Sequence, residues 1–536
     1  RHLLFVSGED LGARLDCGGQ GVQDTVSADR LRGLRIFDIS DITRPRNVGN
    51  VQTCRGSHTH TVLEDPKDPA NVYVYISGSS PVRSSRELAG CINESPDKNP
   101  ASALFRIEVI KVPVANPERA AIVSSPRIFG DLVAPAKHGP TAQDLEAGRV
   151  AAAAARAKGG FVALQHGEET VLSDRFVRSQ LDSIVKSRGG TGAPTAADSA
   201  TLRVAVQGIV DRVLGETGMP GPRPGPTQCH DITVYPAIGL AGGACAGYGL
   251  LLDIRDPAHP VRIAAAADSN FSYWHSATFN NDGTSVLFSD EWGGGVQPKC
   301  RATDPKAWGA DAIFSVSSDR RLTFRSYYKL PAAQTSQENC VAHNGSLIPI
   351  PGRDVMVQAW YQGGVSVFDF TDAANPREIA YFDRGPVDST RLTLAGSWSA
   401  YWYNGAIVSS EIVRGLDIME LVPSPFITQN EIDAAKSVRF EYLNPQSQPK
   451  LVWPPSFALA RAYADQLARD NGLSPDRLTS VRRALAGAEG SSGSARSSAL
   501  AQLATQLEND ASGAGNAARV RRLASAVREL GTRPSP

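Results

Sequence analysis

The chain has 536 residues, 41% of them hydrophobic, with 55 basic and 55 acidic side chains. Its formal net charge of zero leaves no basic surplus for a nucleic-acid backbone or an anionic membrane surface. No apolar run approaches the ~20 residues that a membrane-spanning helix needs. Composition therefore predicts a protein with a large core, no nucleic-acid partner and no membrane span.

The chain starts at Arg1, directly before the strand-like segment 3–6. Such a start is typical of a mature exported protein whose signal peptide has been removed, although a trimmed chain would look the same. The seven cysteines contain no Cys-x-x-Cys pair, which disfavours a thiolate zinc site and favours disulfides in an oxidising compartment. We predict the bridges Cys229–Cys245 and Cys300–Cys340, and an odd count leaves at least one thiol free.

A repeated phrase defines the architecture. An apolar strand ending in Asp is followed by a second Asp and then a Pro turn, at 34–45, 250–260 and 365–376. A further strand follows each clear copy, and another pair of strands precedes it. Four short antiparallel strands repeated radially form a propeller blade, so we predict an all-β chain folded as a β-propeller. Six units are recognisable. We predict seven blades, with the N-terminal strand completing the last one, because closure removes exposed sheet edges.

The phrase Asp-Ile-x-Asp-x-x-x-Pro, as in 38–45, resembles the LVIVD-repeat family of bacterial exported propellers. The resemblance covers roughly residues 1–430, less an insertion. It implies a bladed architecture and a periplasmic, cell-surface or extracellular location in a bacterium. It implies no particular chemistry.

Two regions depart from the blade pattern. One is rich in Ala, Gly and Pro and partly helical, and the other is helical with Val520, Leu523, Val527 and Leu530 at amphipathic spacing. The second region is either a helical appendage or a surface for self-association. The predicted organisation is propeller 1–140, insertion 141–227, propeller 228–445 and helical C-terminal extension 446–536.

The most informative feature is a position shared by several blades. Four predicted first strands open with His-x-x-Thr/Ser followed by an apolar residue. A fifth copy keeps the spacing and replaces His with Trp398. The four copies begin at His58, His230, His275 and His343.

The first strand of a propeller blade lines the central channel, so equivalent residues of several blades point at one place. Four imidazoles at one place cannot all be protonated, and a transition metal is their expected partner. We predict one mononuclear metal site made by His58, His230, His275 and His343, with copper or iron favoured and zinc also compatible. His60 lies two residues after His58 on the same strand face and could replace it.

Two glutamates are predicted to accept hydrogen bonds from the metal-binding histidines. Glu291 and Glu411 end what we take to be equivalent second strands. Metal-bound imidazoles usually donate their other nitrogen to a carboxylate or carbonyl group. Asp231, directly after His230, is a weaker candidate for the same role.

Several aromatic residues lie in or near the same strand segments as the histidines, and their role has two interpretations. They could form an apolar wall around a substrate, or they could be the core between blades. The set contains Trp274, Trp292, Trp360, Trp398, Tyr401 and Trp402.

An all-histidine site on a propeller is similar in architecture to two groups, the copper-dependent selenium-binding protein and methanethiol oxidase group and the iron-dependent carotenoid-cleaving oxygenases. No motif is shared with either, so the reaction rests on analogy. Two hypotheses follow. The first is a copper- or iron-dependent oxidoreductase acting on a small molecule in the channel. The second is a non-enzymatic propeller that uses the metal as a structural pin and binds a protein or cell-surface partner.

Overall fold

The computed structural model describes residues 2–96, 98–136, 138–165, 168–217 and 225–532, except for the side chains of 213–217. The chain forms two compact units. One joins Arg1–Gly130 to Pro226–Pro536, and the other is Asp131–Gly225. The second unit overlaps residues 141–227, the segment that the sequence assigns to an insertion.

The larger unit opens with two antiparallel sheets in which each strand pairs with the next. The first sheet contains β1 (Leu3–Gly8), β2 (Gly33–Asp38) and β3 (Arg46–Gln52). The second contains β4 (Thr59–Glu64), β5 (Asn71–Ser77), β6 (Glu108–Pro113) and β7 (Ala121–Ser124).

The smaller unit combines one two-stranded sheet with three helices. Its elements are α1 (Ala142–Ala157), β8 (Val162–Gln165), β9 (Glu168–Val171), α2 (Asp174–Ser187) and α3 (Ala196–Thr217). Leu202, Val206 and Val210 recur on one face of α3 and are buried with Phe161 and Leu172. This unit therefore has its own small core.

Four more sheets follow in the larger unit, again with sequential antiparallel pairing. The third contains β10 (Cys229–Tyr235), β11 (Leu240–Cys245), β12 (Tyr248–Asp253) and β13 (Val261–Ala266). The fourth contains β14 (Trp274–Phe279), β15 (Ser285–Asp290), β16 (Asp311–Val316) and β17 (Leu322–Tyr328). The fifth contains β18 (Gly345–Ile348), β19 (Val355–Ala359), β20 (Val365–Asp369) and β21 (Arg377–Phe382). The sixth contains β22 (Ser397–Tyr403), β23 (Ala406–Glu411) and β24 (Gly415–Met419).

These sheets are the blades of a β-propeller. Buried apolar residues of one sheet pack against those of the next, as where Val355 and Val357 of the fifth sheet share a core with Ala400 and Trp402 of the sixth. The repeated phrase occupies the third strand of the third and fifth sheets, on β12 and β20, and the middle strand, β2, of the three-stranded first sheet. The core therefore lies between blades, and the first strands face the axis.

The blade count differs from the prediction. The described residues form six sheets of three or four strands, and the predicted seventh blade has no counterpart among them. The N-terminal strand does not complete the last blade: β1 pairs with β2, Phe5 lying opposite Ile36. The strand-like N-terminus belongs to the blade that follows it in the sequence, so that prediction is wrong.

A helical region follows the last sheet. It contains α4 (Gln429–Lys436), α5 (Phe457–Arg469), α6 (Pro475–Glu489), α7 (Gly493–Asp510) and α8 (Ala517–Thr532). Val520, Leu523 and Val527 of α8 are 0% exposed within this bundle. The amphipathic face considered for self-association is thus covered by the chain's own helices. None of the described helices has the length and apolarity to cross a membrane.

Segment 440–451 lies between α4 and α5 and crosses the first strands of three blades. Asn444 donates to the Val62 carbonyl at 3.0 Å. Val234 donates to the Gln446 carbonyl at 2.8 Å. Gln448 exchanges two side-chain hydrogen bonds with the backbone of Phe279. We call this segment the plug, because it covers the inner strands four residues beyond His58, His230 and His275, about 13 Å along each strand.

Three disulfides are present. Cys229–Cys245 and Cys300–Cys340 confirm the predicted pairs, and Cys54–Cys91 is a third that the sequence left unassigned. Cys17 is free and exposed.

Candidate metal centre

The shared sequence position lies at the start of the first strand in each blade. His230 and His275 belong to β10 and β14, His58 directly precedes β4, and His343 precedes β18. The pairing register shifts between Cys229 and Asp231, and again between Trp274 and Ala277. Such bulges re-aim a side chain relative to a regular strand and are common next to functional sites.

The four imidazoles form a continuous arc. Ring centroids are 4.4 Å apart for His58 and His230, 4.0 Å for His230 and His275, and 4.0 Å for His275 and His343. Trp398 continues the arc at 5.1 Å from His343. Residues that share one position in five blades are therefore neighbours in the structure.

The Nε2 atoms turn towards one another and towards Glu291. The Nε2 atoms of His58 and His230 are 2.7 Å apart. The carboxylate oxygens of Glu291 lie 3.8 Å from Nε2 of His275 and 3.6 Å from Nε2 of His343. Donor atoms of His230, His275 and Glu291 all lie within 4.8 Å of one another. Ligands on one ion with bonds of about 2.1 Å lie about 3–4 Å apart, so the group of His230, His275 and Glu291 is compatible with a metal ion. The Nε2 atoms of His58 and His230 lie closer together than two ligands of one ion would.

Glu291 stands closer to the histidines than the sequence predicts. It was expected behind the ligands, yet its oxygens face the same nitrogens that would bind the ion. Its side chain is 8% exposed. Burial raises the pKa of the Glu291 carboxyl, while a hydrogen bond from Tyr361 opposes that rise. Glu291 can act as a further ligand or as a base beside a metal-bound molecule.

Burial divides the four histidines into two pairs. Side chains of His275 and His343 are 1% exposed, whereas His230 is 11% and His58 is 37% exposed. Burial lowers the pKa of His275 well below its ordinary value and lowers that of His343 to about 3. Both rings are therefore neutral, the form that binds a metal.

Glu9 supports His58 from a loop that the sequence analysis did not single out. Its Oε2 lies 2.8 Å from Nδ1 of His58, and its Oε1 accepts from Ser79 at 2.5 Å. The bond to Glu9 raises the pKa of His58. A carboxylate on Nδ1 orients the ring and directs Nε2 outward, as in carboxylate–histidine–metal triads.

His230 is held by its neighbours. Its Nδ1 lies 3.2 Å from the His275 carbonyl oxygen and 3.8 Å from Asp231 Oδ1. Gln446 of the plug donates to the same Asp231 oxygen at 3.1 Å. Burial would raise the pKa of Asp231, but its contacts with His230 keep it below the ordinary value.

Glu411 does not stand behind the ligands. Its carboxylate accepts hydrogen bonds from the backbone amides of Gly396 at 2.7 Å and Val413 at 2.9 Å. Strand pairing explains the error: Glu411 pairs with Ser397, the residue before Trp398, just as Asp290 pairs with Trp274, the residue before His275. Glu411 is thus equivalent to Asp290, and the sequence alignment with Glu291 is off by one residue.

His60 does not replace His58. Its Nδ1 lies 2.8 Å from the Ser7 hydroxyl of β1, and its ring packs 6.4 Å from Phe5. Burial lowers the pKa of His60 to about 4. The two histidines share a strand face in the sequence pattern, but His58 precedes β4, where that alternation does not yet hold.

The two interpretations of the aromatic set apply to different members. Trp274, Trp360 and Trp402 are at most 2% exposed and belong to the core between blades. Trp292 stacks on Trp308 with centroids 4.3 Å apart. Trp398, by contrast, is 46% exposed beside His343.

Access to the histidines is one-sided. The plug covers the far end of the inner strands and leaves only a cavity of ≈ 50 Å³ between it and Thr233, Thr278 and Ser346. The exposed residues, His58 and Trp398, lie at the opposite end of the same strands. A small molecule would therefore approach from the His58 side.

Three solved structures that are similar to this chain have TM-scores below 0.4. A periplasmic gluconolactonase of Pseudomonas aeruginosa has a TM-score of 0.39 at 11% identity, covering 84% of this chain and 85% of that one. A protein from Lactobacillus plantarum has a TM-score of 0.34 at 9% identity, covering 77% and 82%. Hydrazine synthase of Kuenenia stuttgartiensis has a TM-score of 0.34 at 8% identity, covering 73% and 78%. No family model and no curated protein matches the chain. Likeness at this level carries no information on activity.

Proposed function

We propose that this protein is an exported, copper- or iron-dependent oxidoreductase whose metal is bound by His58, His230, His275 and His343 in the propeller channel. The observation that carries the proposal is the arc of four imidazoles with successive centroids 4.0–4.4 Å apart. Neutral imidazole is a ligand for copper, iron and zinc alike, so the donor set does not choose among them. Copper and iron add the redox chemistry that the proposal requires.

The gradient of exposure across the arc supports a catalytic role. A structural ion is normally enclosed by its four ligands, whereas a catalytic ion keeps an open position. His58 is 37% exposed and Glu9 beside it is 30% exposed, while His343 is 1% exposed. The buried histidines would anchor the ion, and its His58 side would accept a small molecule. Three disulfides favour an oxidising compartment and thus export.

The alternative is a propeller in which the ion is a structural pin and the surface binds a protein or cell-surface partner. Burial of Glu291, His275 and His343 favours this reading of the inner half of the site. The two functions differ in whether the ion accepts an outside ligand. Azide should change the absorption spectrum of a copper-loaded catalytic site and leave an enclosed one unchanged.

Metal stoichiometry tests the site itself. We expect one ion per wild-type chain by elemental analysis, with nitrogen ligands about 2.0–2.2 Å from it. His230→Ala should lower metal content sharply while the propeller stays folded, because the blades keep their own cores. His259→Ala is the matched control, since His259 is 66% exposed and its Nδ1 lies 3.0 Å from Asp256 rather than from another histidine. Equal metal content in the two variants would contradict the four-histidine site.

A further inference from the structure

Trp398 occupies the ligand position of the sixth blade. The register of β22 and β23 shifts between Ser397 and Ser399, as it does around His230 in the third blade. The Trp398 ring therefore turns towards the arc, 5.1 Å from His343 and 5.9 Å from Tyr361. A residue that cannot bind a metal stands where four blades provide an imidazole.

The exposure of Trp398 is unusual for this chain. It is 46% exposed, whereas Trp360 and Trp402 are at most 1% exposed. Covering an exposed indole stabilises a complex because apolar surface is removed from water. The uncovered ring lies at the end of the inner strands that the plug leaves open.

Further exposed apolar side chains lie on the loops before β22, the strand that carries Trp398, and after β23, the strand paired with it. Leu392, Leu394, Ile412 and Val413 are between 38% and 54% exposed. Ile412 is tied to this place because its amide donates to the Gly396 carbonyl at 3.0 Å. A group of exposed apolar side chains next to polar residues is more often a binding surface than are single exposed apolar residues scattered over the protein.

We propose that Trp398 and this apolar rim bind the flat, aromatic part of a small molecule whose donor atom reaches the metal. The inference rests on the proposed function and names its substrate class: small aromatic compounds with one oxygen or nitrogen donor. The Trp398 ring would hold the aromatic plane, and the His58 side of the arc would receive the donor atom. The plug makes this face the entrance to the site.

Two ligands that differ only by a phenyl ring test the proposal on the copper-loaded protein. Imidazole and 4-phenylimidazole bind a metal through the same nitrogen, so the ratio of their affinities isolates the aromatic contact. We expect the wild type to bind 4-phenylimidazole at least about tenfold more tightly than imidazole. Trp398→Ala should reduce that ratio to near one with imidazole affinity unchanged, and Trp398→Phe should retain most of it.

Tyr381→Ala is the matched control, because Tyr381 is 74% exposed on an outer strand of the fifth blade. A wild-type ratio near one, or a ratio that Trp398→Ala leaves unaltered, would overturn the proposal. Metal content separates this outcome from failure of the proposed function. If wild-type protein and His230→Ala take up equal metal, the metal site is wrong. If metal uptake is normal and the ratio does not change, only the aromatic subsite is wrong.

Discussion

The hydroxyl of Tyr361 donates a hydrogen bond to Oε1 of Glu291, the carboxylate that faces the buried histidines. Tyr361 has a φ of 53°, a left-handed conformation that is costly for a bulky residue. Two glycines make room for it, since a Cβ at Gly295 would overlap the Tyr361 hydroxyl and one at Gly396 would overlap its backbone. Such over-determined strain is typical of functional sites, and here it fixes the direction of the Glu291 carboxylate.

Tyr361→Phe should therefore disturb the metal centre more than the fold. The variant keeps the ring that contacts His343 at 5.0 Å and loses only the donor to Glu291. We expect metal affinity to fall about tenfold and the paramagnetic resonance spectrum of the copper-loaded protein to change. Tyr403→Phe is the control, because that hydroxyl bonds to the Glu441 carbonyl instead. Identical copper spectra in wild type and Tyr361→Phe would show that Tyr361 does not position the site.

Glu291→Gln and Glu411→Gln should give opposite results. Glu291 lies 3.6 Å from the His343 Nε2, so losing its charge should weaken metal binding by about 10–100-fold. Glu411 instead accepts from the amides of Gly396 and Val413, so its variant should lower the unfolding temperature and leave metal affinity unchanged. Metal titration and thermal unfolding of both variants separate the two roles. Equal loss of metal affinity would restore the sequence-based pairing of the two glutamates.

Glu9→Gln tests the support of the exposed ligand. The carboxylate of Glu9 accepts from Nδ1 of His58, and an amide could accept the same proton without its charge. We expect a loss of metal affinity of about tenfold, smaller than for removal of an imidazole. Glu64→Gln is a suitable control, because Glu64 bonds to Tyr442 of the plug rather than to a histidine. A variant that binds metal as the wild type does would remove Glu9 from the site.

The repeated strand position could be read from the sequence because propeller blades place equivalent residues around one axis. That symmetry predicted which rings meet, and His58, His230, His275 and His343 do form an arc. The symmetry could not reveal the β-bulges, because the order of apolar residues in the sequence does not show where a strand contains an extra residue. Nor could the sequence show that Glu411 pairs with Ser397 as Asp290 pairs with Trp274, so Glu411 was aligned with Glu291 instead of Asp290.

Repeat symmetry could not predict the role of residues that lie outside the repeat. Glu9 lies in a loop after β1 with no counterpart in other blades, so no shared frame pointed to it. The plug has no strand pattern and joins the inner strands through the side-chain amides of Asn444 and Gln448 and through backbone hydrogen bonds with Val234. The disulfide Cys54–Cys91 joins two loops around the second blade, and cysteine spacing alone does not define pairing.

Removal of the Cys300–Cys340 disulfide should loosen the segment after Glu291. The bridge closes a sequence separation of 40 residues, and Lys299 donates to the Cys340 carbonyl at 3.1 Å. A loop of this length predicts a loss of about 2–4 kcal/mol of stability. We expect the double variant Cys300→Ser, Cys340→Ser to unfold at a lower temperature, with faster proteolysis between the two positions. Cys17→Ser, at a free and exposed cysteine, should behave as the wild type. Unchanged proteolysis would show that the segment is held without the bridge.

Asp354 is a partly buried carboxyl group that makes the protein less stable as pH rises. Burial raises the pKa of Asp354 to about 6 from 3.8, although Asn280 donates to its Oδ2 at 2.9 Å. Between about pH 4 and pH 6 the folded chain holds a proton that the unfolded chain has released. The contribution of this group is therefore fully present below pH 4 and is lost as pH rises through 6.

Asp354→Asn should remove this dependence, because an amide accepts from Asn280 without becoming charged. The variant should match the wild type near pH 4 and exceed it at pH 7, by about 2 kcal/mol after discounting for partial solvation. Thermal midpoints of both proteins at pH 4, 5, 6 and 7 provide the comparison, and taking their difference cancels the titration of all other groups. Asp182→Asn, at an exposed position of α2, is the control for replacing an aspartate by asparagine. A difference between Asp354→Asn and wild type that stays constant with pH would mean that Asp354 does not titrate in this window.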